Sequence, residues 1–87
     1  MTQKSLIEFP CEFPVKIIGI HSALFIEDIQ KITKKHFLNF SEDKLSLKPS
    51  QKNNYLAITV TVLAQNQEML DDFYREITQH AMVKMVL

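Results

Sequence analysis

The ten residues YLAITVTVLA, Tyr55 to Ala64, alternate without a break. Leu56, Ile58, Val60 and Val62 fall on one side of an extended chain, and Tyr55, Ala57, Thr59, Thr61 and Leu63 on the other. Successive side chains of a strand point to opposite faces, so a period of two over this length, rich in β-branched residues, predicts a strand buried on one face. Such a strand is not stable alone. It needs paired neighbours and another layer of secondary structure over its apolar side.

The rest of the chain supplies both. VKIIGI, Val15 to Ile20, is short and β-branched, with Val15, Ile17 and Gly19 on one face and Lys16 and Ile18 on the other. Ser22 then caps a helix reaching Phe37 or Leu38, whose spacing puts Phe25, Ile29, Ile32 and His36 along one stripe. Glu27 and Asp28 precede Lys31, Lys34 and Lys35, an order that suits the helix dipole. KLSLKP, closed by Pro49, reads as a short edge strand with Leu45 and Leu47 inward and Lys44 and Lys48 outward. After the long alternation, Asn66 caps a second helix with Leu70, Phe73 and Ile77 inward. VKMVL ends the chain as a strand with Val83, Met85 and Leu87 on one face. Residues 1–14, with Pro10 and Pro14, read as an extended lead-in to a single domain over residues 15–87.

The element order is β-α-β-β-α-β. Right-handed crossovers then give an α+β, ferredoxin-like fold, a four-stranded antiparallel sheet with two helices on one face. The long third strand is central, and the second and fourth are edges. The outward face would carry Ile18, Ala57, Thr59 and Thr61 with Tyr55 at a strand start, extended by Met82 and Val86.

Composition narrows the function classes. With 87 residues there is room for one core, and ten basic residues balance ten acidic ones. A nucleic-acid binder normally needs a basic excess, and this sheet lacks the central aromatics on which RNA-binding modules stack bases. Nucleic acid is therefore not the expected partner. The N-terminal residues show neither a signal peptide nor a membrane span, and Cys11 is the only cysteine, which together predict a cytoplasmic protein with no internal disulfide. His21, His36 and His80 lack ligand spacing, so no metal and no cofactor is expected, and no nucleophile or acid–base pair marks a catalytic site.

The segment KPSQKNN, Lys48 to Asn54, raises the question of a phosphate-binding loop. Such loops feed backbone N–H groups and a helix N-terminus toward the anion, and usually contain glycine. This one joins two strands, has no glycine and includes a proline that donates nothing. It reads as a hairpin turn, with Lys48 and Lys52 left to contact an anion or a partner.

Three segments, EFPCEFPVKIIG (Glu8 to Gly19), KPSQKNNYLAITVTV (Lys48 to Val62) and the terminal VKMVL, resemble the corresponding parts of the YbeD-like family of small bacterial proteins of unknown function. The resemblance spans nearly the whole chain. It implies a ferredoxin-like fold similar to the ACT-type domains that bind amino acids beside metabolic enzymes, and a link to lipoate metabolism. It brings no catalytic residue. Relatives commonly carry glycine where this chain has Asn53, a residue that also enters left-handed φ readily.

In ACT-type domains the first strand-to-helix turn contributes to the ligand site. By that analogy Gly19, His21 and Ser22 are the candidate site for a small carboxylate, against the simpler reading of Gly19 as a packing position and Ser22 as a cap. Partner contact is expected at Lys48, Lys52, Tyr55, Thr59 and Thr61, with a homodimer as one form of it. Together these readings predict a non-enzymatic regulatory or adaptor domain. The alternative is an ACT-like sensor of an amino acid or carboxylate.

Overall fold

The computed structural model describes residues 9–50, 52 and 54–87. Its elements are β1 (Cys11–Ile20), α1 (Ala23–His36), β2 (Leu45–Pro49), β3 (Tyr55–Ala64), α2 (Gln67–Thr78) and β4 (Val83–Val86), with a 3-10 turn, Glu42–Lys44, just before β2. The sheet is antiparallel throughout and runs β2-β3-β1-β4, with β2 and β4 at its edges. This is the ferredoxin-like βαββαβ arrangement that the periodicities predict.

Alternation sets the core. Val15 and Ile17 of β1, and Leu56, Ile58, Val60 and Val62 of β3, are buried against Phe25 and Ile29 of α1 and Leu70, Phe73 and Ile77 of α2. Each such aliphatic or aromatic side chain contributes about 1.5–3 kcal/mol on leaving water. Both helices start as expected: Ser22 Oγ accepts the Phe25 N–H at 3.1 Å, and Asn66 Oδ1 accepts that of Met69 at 3.0 Å. The stripe of α1 differs in one place. Thr33 is fully buried where Ile32 is only half-buried, and its hydroxyl is satisfied by donating to the Ile29 carbonyl at 2.7 Å.

The first strand begins at Cys11, four residues before the expected Val15, so residues 11–14 belong to the sheet and not to a lead-in. Lys16 exchanges both backbone bonds with Leu87, at 3.2 and 2.8 Å, so even-numbered residues of β1 direct their backbone groups toward β4. Pro14 shares that direction but lies past the last residue of β4 paired to β1, where no ladder donor is required. Proline therefore does not end the strand. Phe9 and Phe13 pack against the core.

The last strand departs from simple alternation. Gly19 pairs with Val83, Ile18 with Met85 and Ile17 with Val86, so the register skips Lys84 in a bulge. The extra residue turns both Val83 and Val86 toward the core. Met85 is left outward and 52% exposed. The outer face is therefore extended by Met85, not by Met82 and Val86, and Leu87 does not share an inner face with Val83. The turn between β2 and β3 is closed by Ser50, whose N–H donates to the Tyr55 carbonyl at 2.9 Å and whose hydroxyl accepts the Tyr55 N–H at 3.2 Å. The left-handed φ expected at Asn53 and the lead-in before Phe9 lie outside the described residues.

Candidate interaction face

Because both helices cover one side of the sheet, the other side is free of secondary structure among the described residues. The pairing places Lys48, Ala57, Ile18 and Met85 in one row across all four strands, and Ser46, Thr59 and Lys16 in the next. Ile18, Ala57, Thr59 and Thr61 are half-buried, while Lys16, Lys48 and Tyr55 are exposed. A shallow depression of about 250 Å³ lies over this region, bounded by Lys16, Lys48 and Tyr55 with Ile18 and Ala57 as its floor. Lys52 sits exposed in the adjoining turn. Of the sequence-derived contact residues, Lys48 and Tyr55 therefore meet at this depression.

The charge on this face differs from the neutral total. Among the described residues it carries Lys16, Lys44 and Lys48 against Glu12 alone, and Glu12 is already bonded to Lys44, whose Nζ lies 2.7 Å from Oε2. That hydrogen bond, reinforced by the carboxylate charge, raises the Lys44 ammonium above its ordinary pKa. Beside it, the Ser41 hydroxyl holds the Asp43 carboxyl below the usual range. The acidic residues Glu68, Asp71, Asp72 and Glu76 instead cluster on α2, on the opposite layer.

Thr61 lies farther along the same face, at the edge of a larger cleft of about 490 Å³ between the end of β3 and the segment joining α1 to β2. Leu63 and Met69 give it an apolar wall, and Lys35 and Lys44 reach its rim.

The first turn is tightly filled. Gly19 is buried, and a Cβ there would collide with the Met82 carbonyl oxygen and lie 2.8 Å from Cε1 of Phe25. Ser22 Oγ is committed to the Phe25 N–H and approaches Met82 Sδ at 3.8 Å. His21 is exposed, with its N–H donating to the Asn54 carbonyl at 3.3 Å. Gly19, His21 and Ser22 are adjacent, as the sequence requires, but they line neither of these two depressions.

Two histidine–carboxylate pairs escaped the sequence reading, because their partners are distant in the chain. His36 Nε2 lies 2.7 Å from Glu76 Oε1, with Lys35 Nζ 3.2 Å from the same carboxylate. The His36 bond, then Lys35, hold the Glu76 carboxyl below its ordinary pKa against the opposing effect of burial. His80 Nε2 lies 2.9 Å from Asp28 Oδ2. Burial alone pushes the Tyr74 phenol up. Among the described residues, no three His, Cys, Asp or Glu side chains are placed to hold a metal, and no helix is long and apolar enough to cross a membrane.

Comparison with known sequences matches residues 4–87 to a family described as "Protein of unknown function (DUF493)". Similar proteins include UPF0250 proteins of Leptothrix cholodnii, 42% identical over 98% of this chain and 93% of the relative. Another is from Paraburkholderia phymatum, 43% identical over 97% and 94%. A third, from Neisseria gonorrhoeae, is 41% identical over 95% and 91%. Among solved structures, the solution structure of protein HP0495 from H. pylori is similar with a TM-score of 0.77, over 99% of this chain and 90% of that one, at 15% identity. At that identity the likeness concerns the fold.

Proposed function

The chain belongs to the DUF493 family, the YbeD-like small bacterial proteins, and we propose that it works within that family as a non-enzymatic adaptor or regulatory domain acting through protein contact. The observation that carries this reading is the outer sheet face, which no described element covers and where half-buried Ile18 and Ala57 are framed by Lys16, Lys48 and Tyr55. Apolar surface ringed by like charges suits a partner that brings an apolar patch and carboxylates. The separation of this basic face from the acidic α2 gives association a direction even though the total charge is zero.

His80 is not a candidate base, because both of its ring nitrogens have hydrogen-bond partners. The sensor alternative has less support, since the Gly19 site is filled by Phe25 and Met82. The proposed link to lipoate metabolism rests on the family resemblance and chooses the first ligands and partners to test.

The experiment compares proteins captured from native lysate by the wild-type chain and by the Lys16→Glu/Ala57→Glu double variant, after melting curves establish that both fold. Loss of a specific partner from the variant is expected. Identical captured sets would remove the outer face from the reading. A thermal shift with millimolar lipoate, octanoate or an amino acid would instead move the function to ligand sensing.

A further inference from the structure

Backbone donors and acceptors do not balance along the free edge of β2. Lys16 spends its N–H and C=O on Leu87, so its cross-strand partner Thr59 directs its own groups to β2, opposite Ser46. By the same alternation Lys48 faces β3, whereas Leu45, Leu47 and Pro49 direct their backbone groups away from the sheet. Pro49 has no N–H, and that of Leu45 already donates to the Glu42 carbonyl. Among the described residues, the edge is left with the carbonyls of Leu45, Leu47 and Pro49 but with the N–H of Leu47 alone.

A side chain is stranded at the same place. Leu47 points to the helix side of the sheet, yet it is 44% exposed, because β2 lies beyond the cover of both helices. On the other side of the strand, Lys48 projects into solvent.

We propose that this edge accepts an extended acidic segment of a partner protein by strand addition. The segment would supply N–H groups at three alternate residues, for the carbonyls of Leu45, Leu47 and Pro49, and one carbonyl for the Leu47 N–H. In antiparallel register its residue opposite Leu47 is apolar and covers that side chain. The flanking residues point to the outer face, where a carboxylate meets Lys48.

A second copy of this chain satisfies the edge poorly. Pairing Leu47 with Leu47 of a copy satisfies those two residues, but sets the Leu45 carbonyl against the Pro49 carbonyl with no donor between them. Moving the register so that Ser46 faces Ser46 sets Lys48 opposite Lys44. Both the hydrogen-bond inventory and the charges therefore favour a different chain.

This inference rests on the protein-contact reading and names one segment that such a partner would bring. The probe is the capped peptide acetyl-Val-Glu-Val-Glu-Val-amide, with a control N-methylated at all three valines. Amide NMR of the full chain should show a downfield shift and slowed exchange at Leu47 on addition of the parent peptide. A dissociation constant of about 0.1–1 mM is expected, weakened at least about tenfold by N-methylation. Leu47→Pro should weaken it similarly, because it deletes the free donor and no β2–β3 ladder bond.

Equal binding of the N-methylated control would overturn strand addition, as would no binding at several millimolar. Sedimentation showing a dimer lost in Leu47→Pro would assign the edge to a second copy and overturn the hetero-partner proposal. If lysate partners are lost with Lys16→Glu/Ala57→Glu but retained by Leu47→Pro, strand addition fails while the outer-face reading stands. Loss with neither variant removes both.

Discussion

His80 and Asp28, 52 residues apart in sequence, meet with Nε2 at 2.9 Å from Oδ2, while His80 Nδ1 accepts the Met82 N–H at 3.1 Å. An imidazole nitrogen that accepts cannot carry the proton, so the hydrogen lies on Nε2 and donates to Asp28. This links the start of α1, the end of α2 and the approach to β4. The Met82 carbonyl is also held, by the Ile20 N–H at 3.1 Å.

His80→Ala is therefore expected to cost about 1–3 kcal/mol, because it leaves the Met82 N–H and the Asp28 carboxylate without their partner. Asp28→Asn should cost less, since its amide oxygen can still accept from Nε2. Urea unfolding measures both, and nitrogen-15 shifts of the ring report the tautomer. A ring protonated on Nδ1 alone would refute this bonding pattern.

Gly19→Ala should destabilise the fold by about 1–3 kcal/mol or more, the cost of overpacking a filled site. The added methyl meets a main-chain oxygen, that of Met82, which cannot swing aside as a side chain does, and the ring of Phe25 lies beside it. Unfolding within about 0.5 kcal/mol of wild type would show that the site is not filled in solution.

The sequence made most of the architecture legible because alternation and capping are local. Tyr55–Ala64 emerges as β3 over its full length, and Ser22 and Asn66 cap where expected. The misses depend on what another strand does. Pro14 breaks no ladder bond only because paired β4 stops short of it, and Lys84 bulges only because Met85 and Val86 pair as they do with β1. The outer face followed from alternation, so Lys48 and Tyr55 could be named beforehand. The His36–Glu76 and His80–Asp28 pairs join different helices or loops across 40 and 52 residues, a distance at which one sequence carries no signal.

Glu76 gives the stability a dependence on acid. Its carboxyl is held below the ordinary pKa when folded, so it contributes stability above the unfolded-state value. That contribution is lost as pH falls through the lower folded value. Glu76→Gln should therefore be less stable than wild type by about 0.5–1 kcal/mol at neutral pH, a modest figure because the pair is partly solvated. The gap should narrow as pH falls from about 5 to 3, and added salt should reduce it at neutral pH. An equal gap at both ends of that range would exclude Glu76 ionisation as its source.

The β4 bulge makes adjacent residues respond in opposite ways to the same substitution. Met85 is outward and half-exposed, whereas Val86 packs against the core beside Ile17. Met85→Lys should leave stability within about 0.5 kcal/mol of wild type, because the new charge stays in water. Val86→Lys should cost about 2 kcal/mol or more, from lost apolar burial and a charge pressed toward the core. Without the bulge the strand would alternate from Val83, putting Met85 inward and Val86 outward. Denaturant midpoints of the two variants decide between the registers: a larger loss for Met85→Lys than for Val86→Lys would replace the bulged strand with a regular one.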